Sequence, residues 1–549
     1  MENTKIIENT KINTYLGQKG YTIPKNEISI EKQKQIRNDL TIKPVSHGAP
    51  PGGNSQVSFP AYRESSNKFY VPHYYGVENF GAPKEYKISE GVDIDLEFAG
   101  TLRDYQEPVV NKFIDHCNNV KYGGGLLELP CAWGKTSGSL YILSKLKKKT
   151  LVIVHKEFLM NQWIERIQQF LPKARIGKIQ GPIIDIDDKD IVIGMLQSLS
   201  MKEYPASIFD SFGLTIIDEV HHISSEVFSN SLFKLVTKYM LGLSATMNRK
   251  DGTTHVFKMF LGDVIFKGKR DVELEVTVRA IEYQVDDDEF NEVKLDYRGN
   301  VAYSTMISKL CEYNRRSEFI LKVLADMLQE NPAQQIMVLA HNKNILKYLH
   351  DAIKHRNIAT VGYYVGGMKE QALKETEGKN VVIATYAMAS EALDIKTLTT
   401  LIMATPKTDI EQSVGRILRE KHSNPIVVDI VDSHTTFKNQ WRKRKTFYKK
   451  ENYKIIYTTT QQYNPDTNAS GWTVVFNPVS KFNPVSKFNP VSKDCKLDKK
   501  DKKDKKNISV KSNSSSDKSI ANDSDEEEVE EEPEKSKDKY LTGQCLLKF

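Results

Sequence analysis

Two series of short apolar runs, each interleaved with amphipathic stretches, restrict this chain to a parallel α/β architecture. In the first series Leu126–Leu129, Leu151–His155, Ile191–Gly194 and Leu214–Asp218 are bounded by turns or charges. Apolar runs without alternation are the pattern of strands covered on both faces. Between them lie stretches with helical spacing, such as Phe158–Phe170. The series returns over 310–435 with Ile336–Ala340, Thr360–Tyr364, Val381–Ala384, Leu401–Ala404 and Ile426–Ile430. Strand–helix alternation builds parallel sheets with helices on both faces. The expectation is an α/β chain with two tandem parallel-sheet domains, over 96–270 and 310–455.

The remaining segments differ in character. Residues 1–95 are expected to form an N-terminal extension, with a short helix over Glu27–Leu40 and a breaker-rich loop from Pro44 to Pro60. Tyr62, Phe69, Tyr70, Tyr74 and Tyr75 then concentrate in a small, partly β region. Such a cluster reads as core in preference to a base-stacking platform. Residues 271–309 read as a connector holding one β-like run, Val272–Tyr283, and an acidic patch around Asp286–Glu289. From 456 to 549 the chain reads as a low-complexity tail. Phe476-Asn-Pro-Val-Ser-Lys481 recurs at 482–487 and 488–493, Lys496–Lys506 is almost all Lys and Asp, Ser509–Ser524 is serine-rich, and Asp525–Glu534 is strongly acidic. Such segments bury too little apolar surface to offset their ordering entropy, so disorder is expected. The repeats read as slippage in a linker or as a multivalent docking peptide.

Composition excludes several classes. The 549 residues hold five cysteines, at 117, 131, 311, 495 and 545, with no Cys-x-x-Cys, which argues against a disulfide framework or a cysteine zinc cluster. No apolar stretch is long enough for a membrane helix, and Met1–Lys5 lacks the apolar core of a secretory signal. An intracellular, reducing compartment is expected: nucleus, cytoplasm, or a virion if the source is viral. The net charge of +7, from 78 basic and 71 acidic residues, does not by itself indicate a nucleic-acid partner. Lys145–Lys149 and Trp441–Lys445 are candidate basic footprints that read more readily as solvated helix faces, the second also as a nuclear address.

Chemistry concentrates after the first strand. Leu126–Leu129 runs into Pro130-Cys-Ala-Trp-Gly-Lys-Thr136, whose Gly134-Lys135-Thr136 is the end of a phosphate loop. Loop N–H groups and a helix N-terminus make a cradle for anionic oxygens. Lys135 would reach the β- and γ-phosphates, and Thr136 would offer its hydroxyl to Mg²⁺. The strict pattern wants Gly at position 129, where this chain has Leu. A second signal is the strand end Thr215-Ile-Ile-Asp-Glu-Val-His221. Asp218 there can hold a Mg²⁺ shell, and Glu219 can orient and deprotonate a water. A third is Gln412-Ser-Val-Gly-Arg-Ile-Leu-Arg419. On a helix Gln412, Arg416 and Arg419 share one face, and two fixed guanidinium groups suit a triphosphate.

Taken in order, Leu102–Gln106, Pro130–Thr136, Asp218–His221, Ser244-Ala245-Thr246, Ala384–Ile395 and Gln412–Arg419 resemble the motif set of superfamily 2 helicases over about residues 100–435. The resemblance implies two RecA-like domains with ATP and Mg²⁺ in the cleft between them. Within the superfamily the chain is similar to the XPB-type branch and the poxvirus-type transcript-release helicases. Arg103-Asp-Tyr-Gln106, Leu129-Pro-Cys131 and Met247–Gly252 carry that similarity, with Lys250 where the branch has Glu. The Asn/Lys/Ile-rich composition points to a large DNA virus. By resemblance, Gln106 contacts adenine with Arg103 beside it, and Pro130, Cys131, Ala132, Trp133 and Gly134 shape the loop. His221, Ser244, Ala245 and Thr246 couple the site to nucleic acid, and Asp394 completes it together with Gln412, Arg416 and Arg419. Ala132 stands where the family has Gly, a strained choice if φ there is positive.

These readings imply ATP hydrolysis coupled to movement on DNA or RNA, with DNA favoured and 3′→5′ polarity implied by the resemblance. Transcription or repair machinery would be a partner through the tail, and the acidic segment would compete with nucleic acid for basic surface. Two alternatives share the residues: a nucleic-acid-stimulated ATPase that remodels a protein complex, and a non-enzymatic scaffold with a degraded nucleotide site.

Overall fold

A computed structural model describes residues 12–44 and 58–478, apart from 121, 131–132, 222–225, 246, 248–251, 269–274, 392–394, 419–421 and 423. The repeats beyond the first, the Lys/Asp run and the serine-rich and acidic stretches lie outside the described residues, as does most of the loop from Pro44 to Pro60.

The N-terminal region builds a five-stranded sheet from β1 (Tyr15–Gly17), β2 (Gly20–Pro24), β3 (Arg63–Glu64), β4 (Lys68–Val71) and β5 (Glu85–Lys87), in the order β3-β4-β2-β1-β5. Two helices serve it, α1 (Ile30–Asp39) and α2 (His73–Phe80). Ser29 caps α1 by accepting from Lys32 N, which satisfies one of the helix's orphan donors. The expected helix is therefore shorter than Glu27–Leu40. The aromatics divide: Tyr21, Phe69, Tyr75 and Phe80 are buried with Leu16, Ile23 and Val71, in a cluster that also takes Tyr122 and Val236 from the next unit. Tyr74 donates to Gly124 O at 3.1 Å, tying α2 to the first strand of that unit.

The first lobe holds β6 (Gly124–Glu128), β7 (Thr150–Val154), β8 (Ile176–Gln180), β9 (Ile183–Ile184), β10 (Ile191–Met195), β11 (Leu214–Ile217), β12 (Tyr239–Ser244) and β13 (Val264–Lys267). Their order is β9-β8-β10-β7-β11-β12-β6-β13, parallel except for the β8–β9 hairpin. Every residue of β7 is buried, as expected of a strand sandwiched between helices. Helices α3 (Glu107–Asn119), α4 (Lys135–Leu146) and α5 (Glu157–Phe170) cover one face. Register matters for function here. Ser244 pairs with Glu128 and Ile217 with Ile153, so the carboxyl ends of β6, β7, β11 and β12 share one edge. In open α/β sheets that edge is where ligands bind.

The second lobe holds β14 (Thr277–Tyr283), β15 (Gln335–Ala340), β16 (Val361–Tyr364), β17 (Val381–Thr385), β18 (Leu398–Met403), β19 (Ile426–Asp432), β20 (Lys454–Thr459) and β21 (Thr473–Phe476), ordered β16-β17-β15-β18-β19-β14-β20-β21. All neighbours are parallel except β20 and β21. Its helices include α6 (Asn314–Glu330), α7 (Lys343–His355), α8 (Glu370–Glu377), α9 (Glu411–Gly415) and α10 (Thr435–Lys450).

Two expectations about boundaries differ from this arrangement. The segment read as a connector over 271–309 supplies β14, an interior strand between β19 and β20. The segment read as tail from 456 completes β20 and adds β21. The charges on β14 are paired with neighbouring helices. Arg279 forms a 2.6 Å pair with Glu330 of α6, and Glu282 a 2.8 Å pair with Lys438 of α10. The basic runs are also partly structural. Arg444 is buried against Asp429 at 2.8 Å on both nitrogens. Lys149 is buried and donates to Ile186 O, while Lys147 and Lys148 pair with Asp95 and Asp93. A second buried pair, Arg316–Asp432, pins the start of α6 to the end of β19 at 2.6 Å. No helix among the described residues is long and apolar enough to cross a membrane.

Candidate active site

The loop after β6 turns through Gly134, whose φ of 89° lies in the left-handed region. A Cβ there would sit 2.5 Å from Gln106 Nε2, so conformation and space both demand glycine. Gly134 is also the N-cap of α4 and offers no side-chain cap, which leaves first-turn N–H groups to an outside anion. Gln106 is buried and straps this loop. Its Nε2 donates to Trp133 O at 2.8 Å, and its Oε1 accepts from Arg103 N at 2.9 Å. The amide expected at adenine is thus engaged with the loop and the Arg103 turn. Trp133 packs in the core, and Gly138 on α4 makes room, since a Cβ there would approach the indole to 2.9 Å.

Across the edge of the sheet, Lys135 Nζ lies 3.1 Å from Glu219 Oε1. Glu219 has a φ of 48°, a left-handed conformation that costs a non-glycine residue about 1 kcal/mol or more. Its Oε2 lies 3.4 Å from His221 Nδ1, and that same nitrogen lies 3.0 Å from Ser244 Oγ. Asp218 is oriented on both oxygens: Oδ1 accepts from Glu219 N at 3.0 Å and Oδ2 from Trp163 Nε1 at 3.0 Å. Burial pushes the Asp218 carboxyl above its ordinary range, and the adjacent Glu219 adds to this. Burial acts on Glu219 in the same sense, but Lys135, His221 and His155 together outweigh it and hold that carboxyl below its ordinary range. His155, at the end of β7, is pushed down to about 4, first by burial and then by Lys156.

The structure therefore brings Lys135, Asp218, Glu219, His221 and Ser244 together, with Gly134, Trp133, Gln106 and Arg103 behind the loop. Thr136 is half-buried in the first turn of α4, and Ala245 follows Ser244 at the end of β12. Pro130 precedes two positions that are outside the described residues, Cys131 and Ala132. Thr246, Asp394 and Arg419 also lie outside the described residues. The helix expected to align Gln412, Arg416 and Arg419 is short. It ends at Gly415, and Arg416–Leu418 continues as a 3-10 turn, with Arg416 buried and Gln412 half-buried. A 3-10 turn advances each residue by about 120° instead of 100°, so a strict α spacing does not describe this face.

The lobes meet nearby. Glu128, the last residue of β6, is among the charges that push the Glu411 carboxyl up, after burial and Glu451. Asn161 Nδ2 donates to Glu370 Oε2 at 2.9 Å, Lys374 pairs with Glu165 at 3.2 Å, and Phe158 packs against the cores of both lobes. Sequence reading missed Trp163. A tryptophan at helical spacing looks like core, and its N–H partner is set only by the fold.

A glycine-turned phosphate loop facing an Asp-Glu strand end, in a chain with two parallel sheets in tandem, defines a P-loop ATPase with two RecA-like lobes. The family model described as type III restriction enzyme, res subunit, matches residues 99–249. The chain is 36% identical over 457 residues to "Putative ATP-dependent RNA helicase L396" of Acanthamoeba polyphaga mimivirus, spanning 81% of this chain and 86% of that protein. It is 27% identical to "Putative ATP-dependent RNA helicase QP509L" of African swine fever virus, over 71% of this chain and 80% of the relative. The solved structure "S. cerevisiae Dbp5 bound to RNA and ADP BeF3" covers 66% of this chain and 90% of its own, with 12% identity and a TM-score of 0.48. The chain belongs to the superfamily 2 helicases, with relatives in large DNA viruses, and is an ATP-hydrolysing, nucleic-acid-dependent enzyme of that family.

Proposed function

We propose that the chain is an ATP-driven motor on a nucleic-acid strand whose reaction centre is the pairing of Lys135 with Glu219. The 3.1 Å contact between them carries this reading. The loop N–H groups and Lys135 would take the β- and γ-phosphates, which draws the ammonium away from Glu219. The released Glu219 carboxylate would orient the attacking water and accept its proton. One of its oxygens, Oε2, accepts no hydrogen bond among the described residues.

Thr136 and Asp218 form an all-oxygen donor pair at the loop and strand end, a set that suits a hard divalent cation such as Mg²⁺. That ion, when bound, would neutralise charge developing on the phosphates. Arg416, buried in the second lobe, would complete the site across the cleft, so that closure of the lobes precedes hydrolysis. His221, linked to both Glu219 and Ser244, would carry the state of the site to β12 and the segment that follows. The domain reading that accompanies this proposal sets an N-terminal unit ahead of two motor lobes.

The relatives' designations support RNA as the track, while the XPB-type motifs favoured DNA. Grip on phosphates would make binding salt-sensitive and largely indifferent to sequence. The test is ATP hydrolysis at one fixed salt, alone and with single-stranded DNA, duplex DNA or RNA, followed by strand displacement on the best stimulator. Stimulation that is lost in Arg416→Ala, with ATP binding retained, is the expected result. Absence of stimulation by every nucleic acid would refute the motor. Stimulation without strand displacement would favour remodelling of a protein complex.

A further inference from the structure

Trp163 sits on α5 and is almost fully buried. A buried indole N–H needs an acceptor, and here it is Asp218 Oδ2 at 3.0 Å. The other oxygen of that carboxylate accepts from Glu219 N at 3.0 Å. Donors on both oxygens leave the carboxylate a single orientation, with its remaining lone pairs fixed at the edge of the sheet. Outer hydrogen bonds of this kind set the direction of a metal-holding carboxylate.

The helix that carries Trp163 is itself held from the other lobe. Asn161 and Glu165 are four residues apart and so share one face of α5, while Trp163 lies between them on the opposite side. The first face meets α8 through Asn161–Glu370 at 2.9 Å and Glu165–Lys374 at 3.2 Å. Phe158, one turn before, packs into the cores of both lobes.

We propose that Trp163 is a positioning residue for the ATP reaction, its indole N–H aiming the Asp218 carboxylate, and that the second lobe holds α5 in the register this requires. The proposal rests on the reading of Asp218 as a residue that holds the divalent cation. Trp163 does not touch substrate. It fixes the direction in which Asp218 would offer its oxygens to a cation, and the hold on α5 would make that direction depend on where the second lobe sits.

The experiment uses the full chain with Mn²⁺ and a slowly hydrolysed ATP analogue, and follows free Mn²⁺ by electron paramagnetic resonance. Mg²⁺ dependence of hydrolysis is measured in parallel. Trp163→Phe keeps the ring and removes the donor. A hydrogen bond to a charged group corresponds to roughly tenfold in an equilibrium constant. About tenfold weaker Mn²⁺ binding is therefore expected, with a matching rise in the Mg²⁺ needed for half-maximal rate. Mg²⁺-free nucleotide affinity should stay unchanged, which a merely structural role would not predict. Asp218→Asn is the control. If it lowers Mn²⁺ affinity and Trp163→Phe does not, the proposal fails and the reading of Asp218 stands. If Asp218→Asn has no effect, both fail. Should Trp163→Phe not fold, Asn161→Ala with Glu165→Ala frees the outer face of α5 alone. A two- to threefold loss of Mn²⁺ affinity, roughly the worth of one exposed polar pair, is expected there, and no change would overturn the proposal.

Discussion

Lys135 and Glu219 are joined at 3.1 Å across the edge of the first sheet, from residues 84 apart in sequence. Each neutralises the other in a half-buried setting, so a phosphate that recruits the lysine also releases the carboxylate. Lys135→Ala should therefore lower ATP hydrolysis by at least ~10²-fold and weaken ATP binding. Glu219→Gln should retain ATP binding and lose about 10²–10⁴-fold in kcat, the range for a positioned general base. Paired measurements of nucleotide binding and steady-state hydrolysis check both. Loss of binding in Glu219→Gln would place that residue elsewhere in the cycle.

Gly134→Ala tests the loop. The substitution meets a φ of 89° and an approach of 2.5 Å to Gln106 Nε2. A strained left-handed alanine costs ~1–2 kcal/mol, and the loop must shift further to clear the amide. About tenfold weaker ATP binding is expected. Gln106→Ala in the same chain should return part of that loss, because it removes the obstructing atom while leaving the backbone strain. A double-mutant cycle on nucleotide affinity reads the coupling.

His155 makes stability pH-dependent. Its folded value, pushed down to about 4, lies below the ordinary 6.5. The unfolded chain therefore binds this proton more readily than the folded one. The stabilisation is present above about pH 6.5 and is lost as pH falls toward 4. Between pH 7 and 5 this amounts to about 2 kcal/mol. Denaturant midpoints at the two pH values should differ by less in His155→Gln than in the parent chain. Equal differences would show that this imidazole binds its proton equally well in the folded and unfolded chains.

Arg316 and Asp432 are both fully buried and pair at 2.6 and 2.8 Å. Removing one partner leaves a buried charge alone, at a cost of about 3–5 kcal/mol. Arg316→Met should lower the urea midpoint accordingly. Replacing both residues by apolar side chains of similar volume should recover most of it, since the desolvation penalty then vanishes from both sides.

The strands that sequence made legible were uninterrupted aliphatic runs, such as Thr150–Val154, where burial on both faces leaves no place for a polar residue. Ile176–Gln180 and Tyr239–Ser244 were not legible, because glycine and polar residues break the run where neighbouring chains approach. Thr277–Tyr283 was legible as a β-like run, but its place inside the second sheet was not. Arg279 and Glu282 are charged, yet each is buried with a partner 51 or more residues away, which only the fold supplies. The phosphate loop and the Asp218–Glu219 strand end were legible because their chemistry depends on adjacent residues. The roles of Gln106 and Trp163 were not. Each depends on a hydrogen bond to an atom that only the fold brings near, Trp133 O for Gln106 and Asp218 Oδ2 for Trp163.

The placement of β14 has a consequence for synthesis on the ribosome. It emerges before the rest of its sheet, but it pairs with β20 near the far end of the lobe, and Gln284 N reaches Thr460 Oγ1 across 176 residues. At roughly 5–20 residues per second, that span takes on the order of 10–35 s to translate. Until β19 emerges the nascent segment carries an unpaired strand with apolar residues on it, and until β20 follows one edge of that strand stays open. A codon-dependent pause or a bound chaperone in this interval would act on the second lobe alone, after the first lobe's strands have all left the tunnel.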